Sequence, residues 1–433
     1  MADMWHRLRD AADVLRGKST VAAPRRREEP SRTPEERRAR AEARKKKKTR
    51  DRQIREKTRE KERESRELAS GPLDLPFCLL ILLLTAVGLV MLLSASFPYA
   101  YYKMQDPVYF FRMQGIFALA GICFMLIASR INYENLRPIA KLFLIVSIVL
   151  LVLVLIPGIG KISHNARRWI GVGSLFRFQP SEITKLAVII WFSYDISRKR
   201  EKMRTFQDGI LPYMKIMGVI AVLMMLEPHL SGTILILGTG AVLMLVGGIQ
   251  LRWVLGAIGG AGFVAFLMIK GIIPYGQSRI AMWKNPFIDA QGQGYQLVQS
   301  LISIGSGGLF GVGLGKSRQK FLYLPEEHND FIFAVVCEEL GLIGATLIML
   351  LFAAMILRGY WIALHARDRF GSLLVTGVIT QMAMQTFFNI GVVTGFLPTT
   401  GISLPFFSYG GTAILIQLAE MGIVLSVSRQ MKL

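Results

Sequence analysis

The densest set of reactive side chains in this 433-residue chain lies between Lys316 and Asp330. Lys316, Arg318 and Lys320 alternate, Tyr323-Leu324-Pro325 closes that run, and Glu326, Glu327, His328, Asn329 and Asp330 follow directly. Cations and carboxylates in one place suit group transfer from a lipid-linked diphosphate. A carboxylate takes the proton of an acceptor hydroxyl while cations neutralise the departing diphosphate. Asp330 immediately precedes Phe331-Ile332-Phe333, a boundary between polar and apolar sequence where partial desolvation makes a carboxylate a better base. Aspartate also caps helix N-termini well. From the residues alone, capping and catalysis stand level, and both can hold together.

Glycine crowds the stretch upstream. Gly292-Gln293-Gly294-Tyr295-Gln296, Gly305-Ser306-Gly307-Gly308 and Gly311-Val312-Gly313-Leu314-Gly315 demand tight turns or close backbone approach. A re-entrant segment that binds nothing accounts for them too, since glycine spacing alone is a weak sign of phosphate binding. Past Asp330, Glu338 and Glu339 fall about 12 Å along the same helix at 1.5 Å per residue. Carboxylates at that depth are functional or paired. The expected partners are Lys185, Arg167, Arg168 or the polar residues Gln381, Gln385 and Asn389. Glu182 and Lys185, three residues apart, can also satisfy each other, and Gln417 and Glu420 extend an implied polar interior. No Ser/His/Asp arrangement and no Cys/His metal spacing is present, and Cys78, Cys123 and Cys337 read as small apolar residues.

These side chains must be positioned by helices in a membrane. Hydrophobic residues make up 52% of the chain, and apolar runs near the length of about 20 residues that spans hydrocarbon recur from Leu75 onward. Ten segments are expected: Leu75 to Phe97, Gln114 to Ser129, Leu142 to Ile156, Ile183 to Ile196, Leu211 to Leu226, Ser231 to Gly248, Trp253 to Ile269, Phe331 to Leu357, Ser372 to Val393 and Leu404 to Val427. Residues 1 to 71 form a separate basic tail, with 24 Lys+Arg against 14 Asp+Glu and a net charge of +22 for the whole chain. Such a tail cannot bury a core of its own and reads as disordered or as a solvated helix. Beside a first apolar segment it is an orientation signal and an anchor for anionic lipid, which makes nucleic acid an unneeded partner. No cleavable signal peptide is expected.

With the tail cytoplasmic, ten crossings return the C-terminus to the same side, and the loops then predicted inside carry Arg130, Arg137, Lys141, Arg198 to Arg204, Arg252, Arg358, Arg367 and Arg369. That agrees with the positive-inside rule. Lys161, Arg167, Arg168 and Arg177 break it, in an outer loop between the third and fourth segments. Residues 271 to 329, between the seventh and eighth, form the large extracytoplasmic loop that could house chemistry.

Four stretches together resemble the SEDS family (shape, elongation, division and sporulation proteins). They are Phe178-Gln179-Pro180-Ser181-Glu182 with Lys185-Leu186-Ala187, Gly292 to Gly315, Tyr323 to Ala334 followed by Glu338-Glu339-Leu340-Gly341, and Asn389 to Gly395 leading into Leu397-Pro398-Thr399-Thr400-Gly401 and Pro405 to Gly411. The resemblance covers residues 73 to 430, the transmembrane domain of 72 to 433, and Lys320 to Glu326 is most like the FtsW branch. Three places depart from the common pattern: His164-Asn165 before Ala166, Asn329 where many relatives have Thr, and Glu227-Pro228-His229 in place of Glu-Pro-Asp.

The resemblance implies an all-α bundle of about ten transmembrane helices in the bacterial cytoplasmic membrane with both termini cytoplasmic. It implies that the protein polymerises lipid II into glycan strands with undecaprenyl pyrophosphate as leaving group, in division or in elongation or sporulation. Asp330 aligns with the family's essential aspartate. Arg167, Arg168, Lys185, Lys316, Arg318, Lys320, Glu326 and His328 are the candidate substrate-binding residues; Glu182, Glu338, Glu339 and Asn389 are candidate structural polar residues. No cofactor is required by the sequence, a divalent cation (Mg2+ or Mn2+) is an option, and no metal ligand is assigned. Expected partners are lipid II, membrane lipid, a class B penicillin-binding protein with transpeptidase activity, and divisome proteins. A lipid II flippase and a non-catalytic scaffold for the transpeptidase are the alternatives.

Overall fold

Hydrocarbon offers a peptide group no hydrogen-bond partner, so a chain this apolar must satisfy its backbone internally, and it does so as helices. The structure, a computed structural model, describes residues 71–431 except 164–165, 173–175, 254, 257–258, 261–265, 267–269 and 271–276. The basic tail, His164-Asn165, most of the expected seventh segment and the start of the large loop lie outside the described residues.

In chain order the elements are α1 (Leu75–Met104), α2 (Tyr109–Ala128), α3 (Leu136–Leu155), β1 (Gly160–Ser163), β2 (Ala166–Val172), β3 (Phe176–Phe178), α4 (Pro180–Lys199), α5 (Leu211–Leu226), α6 (Leu230–Val246), α7 (Gln277–Lys284), α8 (Tyr295–Gly307), α9 (Ile332–Leu364), α10 (Arg369–Val393) and α11 (Gly411–Ser428). Among the described residues seven helical stretches are long and apolar enough to cross a membrane, those of α1, α2, α3, α5, α9, α10 and α11, and α6 is a shorter apolar helix. The protein is a mostly helical, multi-pass membrane protein. Eight of the ten expected segments coincide with helices to within a few residues, several helices being longer than their apolar runs because polar turns continue the same hydrogen-bond ladder. The tenth, expected from Leu404, is helical only from Gly411, since the apolar residues 404–407 belong to a turn.

Helix α4 is the instructive exception. It carries Glu182, Lys185 and Asp195, yet buries Ser181, Thr184, Lys185, Val188, Ile189 and Phe192, so protein rather than lipid surrounds it. α10 and α11 are likewise central, with 72% and 67% of their apolar windows buried against 28% for α2. The polar residues anticipated from the sequence sit on these inner helices.

Two loops have more structure than expected. Between α3 and α4 the chain forms a three-stranded antiparallel sheet in the order β1-β2-β3, with Lys161 opposite Trp169 and Ile170 opposite Phe178. Strands this short and this charged leave no alternation long enough to read. In the large loop, α8 buries Leu297, Val298, Ser300 and Ser303. Ser300 Oγ donates to Val393 O (2.7 Å) and Ser303 Oγ to Ala334 O (3.1 Å), tying α8 to α10 and α9.

The chain after α8 runs along a break in α9. Gly341 has φ 67° and ψ −171° inside that helix, and the backbone groups freed by the break are taken up by the glycine-rich stretch. Val312 N donates to Glu338 O (3.0 Å), Gly313 N to Glu339 O (3.1 Å), Leu342 N to Gly308 O (2.9 Å) and Ile343 N to Leu309 O (3.2 Å). Gly341 lies about 14 Å along α9 from Ile332 at 1.5 Å per residue, where unwound backbone is tolerated only if protein satisfies it. A Cβ on Gly341 would stand 2.3 Å from Gly311 N and 2.6 Å from Leu309 O. Gly341→Ala therefore combines a positive φ with a backbone clash and is expected to cost about 1–3 kcal/mol, seen as a thermal midpoint lowered by several degrees in detergent. A midpoint equal to wild type would refute this account of the break.

Candidate active site

Asp330 ends the large loop. Its carboxylate is half-buried, and the N-cap position of α9 falls on Phe331, one residue later, so the residue stands just outside the helix. Its carbonyl accepts from Asn389 Nδ2 (2.7 Å), which also donates to Ile402 O (2.6 Å). Gly401, at φ 70°, approaches so closely that a Cβ there would lie 3.1 Å from Asp330 Oδ2.

The neighbouring expected binders separate into presented and committed groups. Lys316 and Arg318 are exposed. Lys320, expected beside them, is 3% exposed and pairs with Glu339 (2.8 Å), itself 0% exposed, while donating to Ser94 Oγ (3.0 Å). Its place is the footing of the loop, where the chain turns at Ser317–Lys320 with Lys320 N donating to Ser317 Oγ (3.2 Å). Glu326 is half-buried and accepts from Asn329 Nδ2. His328 is buried with its ring centroid 4.6 Å from that of Phe110, 4.9 Å from Tyr99 and 6.3 Å from Tyr409, and Nδ1 lies 3.6 Å from Glu327 Oε1. It anchors the segment within an aromatic cage.

The partners of Glu338 and Glu339 differ from those expected. Neither Lys185 nor the basic pair of β2 reaches them in the bonds seen here. Glu338 accepts from Ser303 Oγ (3.0 Å), Ser317 Oγ (2.5 Å), Arg318 N (2.9 Å) and Gln319 N (3.4 Å), and Glu339 from Ser94 Oγ, Ser317 N and Lys320 Nζ. Two buried carboxylates thus hold the backbone from which Lys316 and Arg318 project. Nothing in the sequence around Ser94 marks it, since it reaches this network only through the packing of α1 on α9.

The other basic cluster is built on β2. Arg167 and Arg168 are half-buried. Arg168 donates from Nε to Glu227 O (3.3 Å) and from Nη2 to Pro228 O, so the Glu227-Pro228-His229 turn between α5 and α6 cradles the guanidinium by main-chain carbonyls. Glu227 is fully buried and its carboxylate oxygens have no hydrogen-bond partner. Burial pushes this carboxyl up to about 8, against the downward pull of Arg168. His229, with Gln179 Nε2 at 3.5 Å from Nδ1, is pushed down to about 3 by burial and by the charges of Arg168 and Lys185. Lys185 pairs with Glu182 at 2.7 Å, as their spacing allowed. Further along, Gln381 Nε2 donates to Glu420 (3.3 Å) and Gln385 Nε2 to Ser403 O (3.1 Å).

The opposite end of the bundle carries two structural ion pairs, Arg358 with Asp74 (2.8 Å) and Arg137 with Asp368, and a hydrogen bond from Arg429 Nη1 to Gly71 O (2.8 Å). Among the described residues no three His, Cys, Asp or Glu side chains are gathered so as to hold a metal ion.

A half-buried carboxylate at a helix mouth, exposed cations on an anchored loop and a polar interior define a polytopic membrane protein. Comparison places it more closely. The chain belongs to the FtsW/RodA/SpoVE family of cell cycle proteins, whose sequence profile matches residues 75–433. It is 44% identical over 358 residues to the stage V sporulation protein E of Bacillus subtilis, covering 82% of this chain and 97% of that one. It is 42% identical over 361 residues to the probable peptidoglycan glycosyltransferase FtsW of Geobacter metallireducens, covering 83% and 95%. Its fold matches a chain of a peptidoglycan synthase complex that coordinates polymerization and crosslinking (TM-score 0.69, 27% identity, 83% of this chain and 98% of that one). It also matches the rod shape determining protein RodA of Thermus thermophilus (TM-score 0.61, 24% identity, 84% and 98%).

Two measurements check this geometry. Lys320→Met strands the Glu339 carboxylate in a site without a cation and is expected to cost about 3–5 kcal/mol, with Glu339→Gln in the same chain recovering part of the loss in thermal unfolding. The Glu227 and His229 shifts give opposite pH dependences. Between pH 4.5 and about 8 the folded chain keeps a proton on Glu227 that an unfolded chain has released, so stability falls as pH rises. Between about pH 3 and 6.5 the unfolded chain protonates His229 and the folded chain does not, so stability rises with pH. Of these two, the Glu227 contribution is the one that persists from pH 6.5 to about 8. The midpoint is expected to decline across that window, and Glu227→Gln to flatten the decline; equal slopes in both proteins would contradict the assignment.

Proposed function

We propose that this chain is a peptidoglycan glycosyltransferase that polymerises lipid II at the outer face of the bacterial cytoplasmic membrane, with Asp330 as the base. The observation that carries the reading is the placement of Asp330: half-buried, outside the start of α9, on the loop that presents Lys316 and Arg318. The names of the FtsW relatives support the activity. Their identities, with that of the sporulation protein, favour the division and sporulation branch over elongation.

The reactive end faces outward, because Arg137, Arg358, Arg369 and Arg429 gather at the other end, which positive-inside reasoning assigns to the cytoplasm along with both termini. Asp330 takes the proton from the 4-hydroxyl of the acceptor sugar as that oxygen bonds to the anomeric carbon of the donor. The carbon–oxygen bond to undecaprenyl pyrophosphate breaks, and the electron pair leaves with the diphosphate. Arg168 and Arg318 screen the developing charge, with Arg167 and Lys316 beside them. A divalent cation bound to the diphosphate would add to this screening. The partner is a class B penicillin-binding protein that cross-links the strand, within the divisome; the synthase complex matched by the fold supports a partnered state.

Glycan-strand formation from purified lipid II, by the solubilised protein with its transpeptidase, tests the reading. Asp330→Asn is expected to lower the rate by at least about 10²–10⁴-fold, the range of a lost general base, with protein level and partner binding intact. Polymer from both proteins would place the base elsewhere. Polymer from neither would leave transport of lipid II or scaffolding as the function.

A further inference from the structure

The residues just before α9 have no regular secondary structure of their own, yet their main chain is held at each step. Three consecutive carbonyls accept from the far side of the bundle: His328 O from Tyr409 N (2.9 Å), Asn329 O from Ser408 Oγ (2.8 Å) and Asp330 O from Asn389 Nδ2 (2.7 Å). All three donors belong to α10 or to the segment that joins it to α11. Asn389 is 1% exposed and Ser408 8%.

That segment is itself anchored. Gln114 of α2 donates to Ser408 O (3.1 Å) and accepts from Gly410 N (3.1 Å), Ser408 Oγ accepts from Leu404 N (2.7 Å), and Phe406 N donates to Gln417 Oε1 (3.2 Å). Asn389 spans the two sides by giving its amide to Asp330 O and Ile402 O together. Gly401, one residue earlier, meets the Asp330 carboxylate where a side chain would collide with it.

We propose that Asn389 and Ser408 are positioning residues for Asp330, fixing through its main chain where the carboxylate stands relative to the acceptor hydroxyl. The inference rests on the reading of Asp330 as the base. Both side chains are buried. Each acts through a carbonyl of the segment, and displacement of a reacting group by about 1 Å can cost 10²-fold in rate.

The test is steady-state polymerisation of lipid II by the full chain with its transpeptidase, comparing Asn389→Ala, Ser408→Ala, Ser408→Thr and Asp330→Asn, each with its thermal midpoint. Both alanine variants are expected to lose about 10- to 100-fold in kcat, with KM for lipid II within about twofold and midpoints near wild type. Ser408→Thr, which keeps the hydroxyl donor, is expected to restore most of the rate. Should Asn389→Ala fail to fold, the Ser408 pair decides alone. Wild-type rates in the alanine variants overturn the proposal, as does a loss in which kcat, KM and midpoint move together or Thr fails to rescue. Polymer from Asp330→Asn would overturn the base reading itself. An inactive Asp330→Asn beside fully active Asn389→Ala and Ser408→Ala would overturn the positioning alone.

Discussion

An interrupted helix at membrane depth must find partners for its freed peptide groups within the protein, and the reactive end of this molecule is arranged around that demand. The break at Gly341 is sealed by four main-chain bonds from the Gly308–Gly313 stretch. Those bonds bring the glycine-rich segment in along α9, with Leu309, Phe310 and Leu314 exposed. Two carboxylates one turn before the break, Glu338 and Glu339, then bind the segment's return through Ser317, Arg318, Gln319 and Lys320. Removing the break would cost the loop those four main-chain bonds.

Burial decides which charges are paired within the protein and which stay solvated. Lys320 and Glu339, 3% and 0% exposed, satisfy each other, and a pair of that kind is costly to break by halves. Lys316 and Arg318, on the same short run, are solvated and free to meet an anion. Pairs at the margin, such as Arg112 with Asp106 at 57% and 30% exposure, contribute at most about 1 kcal/mol. The interior of α4, α10 and α11 follows the same logic, with Lys185 against Glu182 and Gln381 against Glu420.

The basic pair of β2 is held differently. Main-chain carbonyls of the Glu227-Pro228-His229 turn grip Arg168, while the Glu227 carboxyl, kept largely protonated at neutral pH by burial, leaves the guanidinium's charge uncompensated by that acid. These two carbonyls fix the orientation of the guanidinium. This gives a physical role to a small sheet that interrupts an otherwise helical chain.

The membrane helices were legible in the residues themselves, because hydropathy is a property of neighbouring residues along the chain. The Glu182–Lys185 pair was legible for the same reason, three residues being one helical step around a face. Other features depended on groups far apart in sequence. Ser94 reaching Glu339, Ser408 reaching Asn329 and Asn389 reaching Asp330 span 245, 79 and 59 residues. No local periodicity encodes such contacts. Whether Lys320 faced a substrate or a carboxylate, and whether Asp330 capped a helix or stood outside one, were likewise decided only when packing fixed which groups lost water and which kept it.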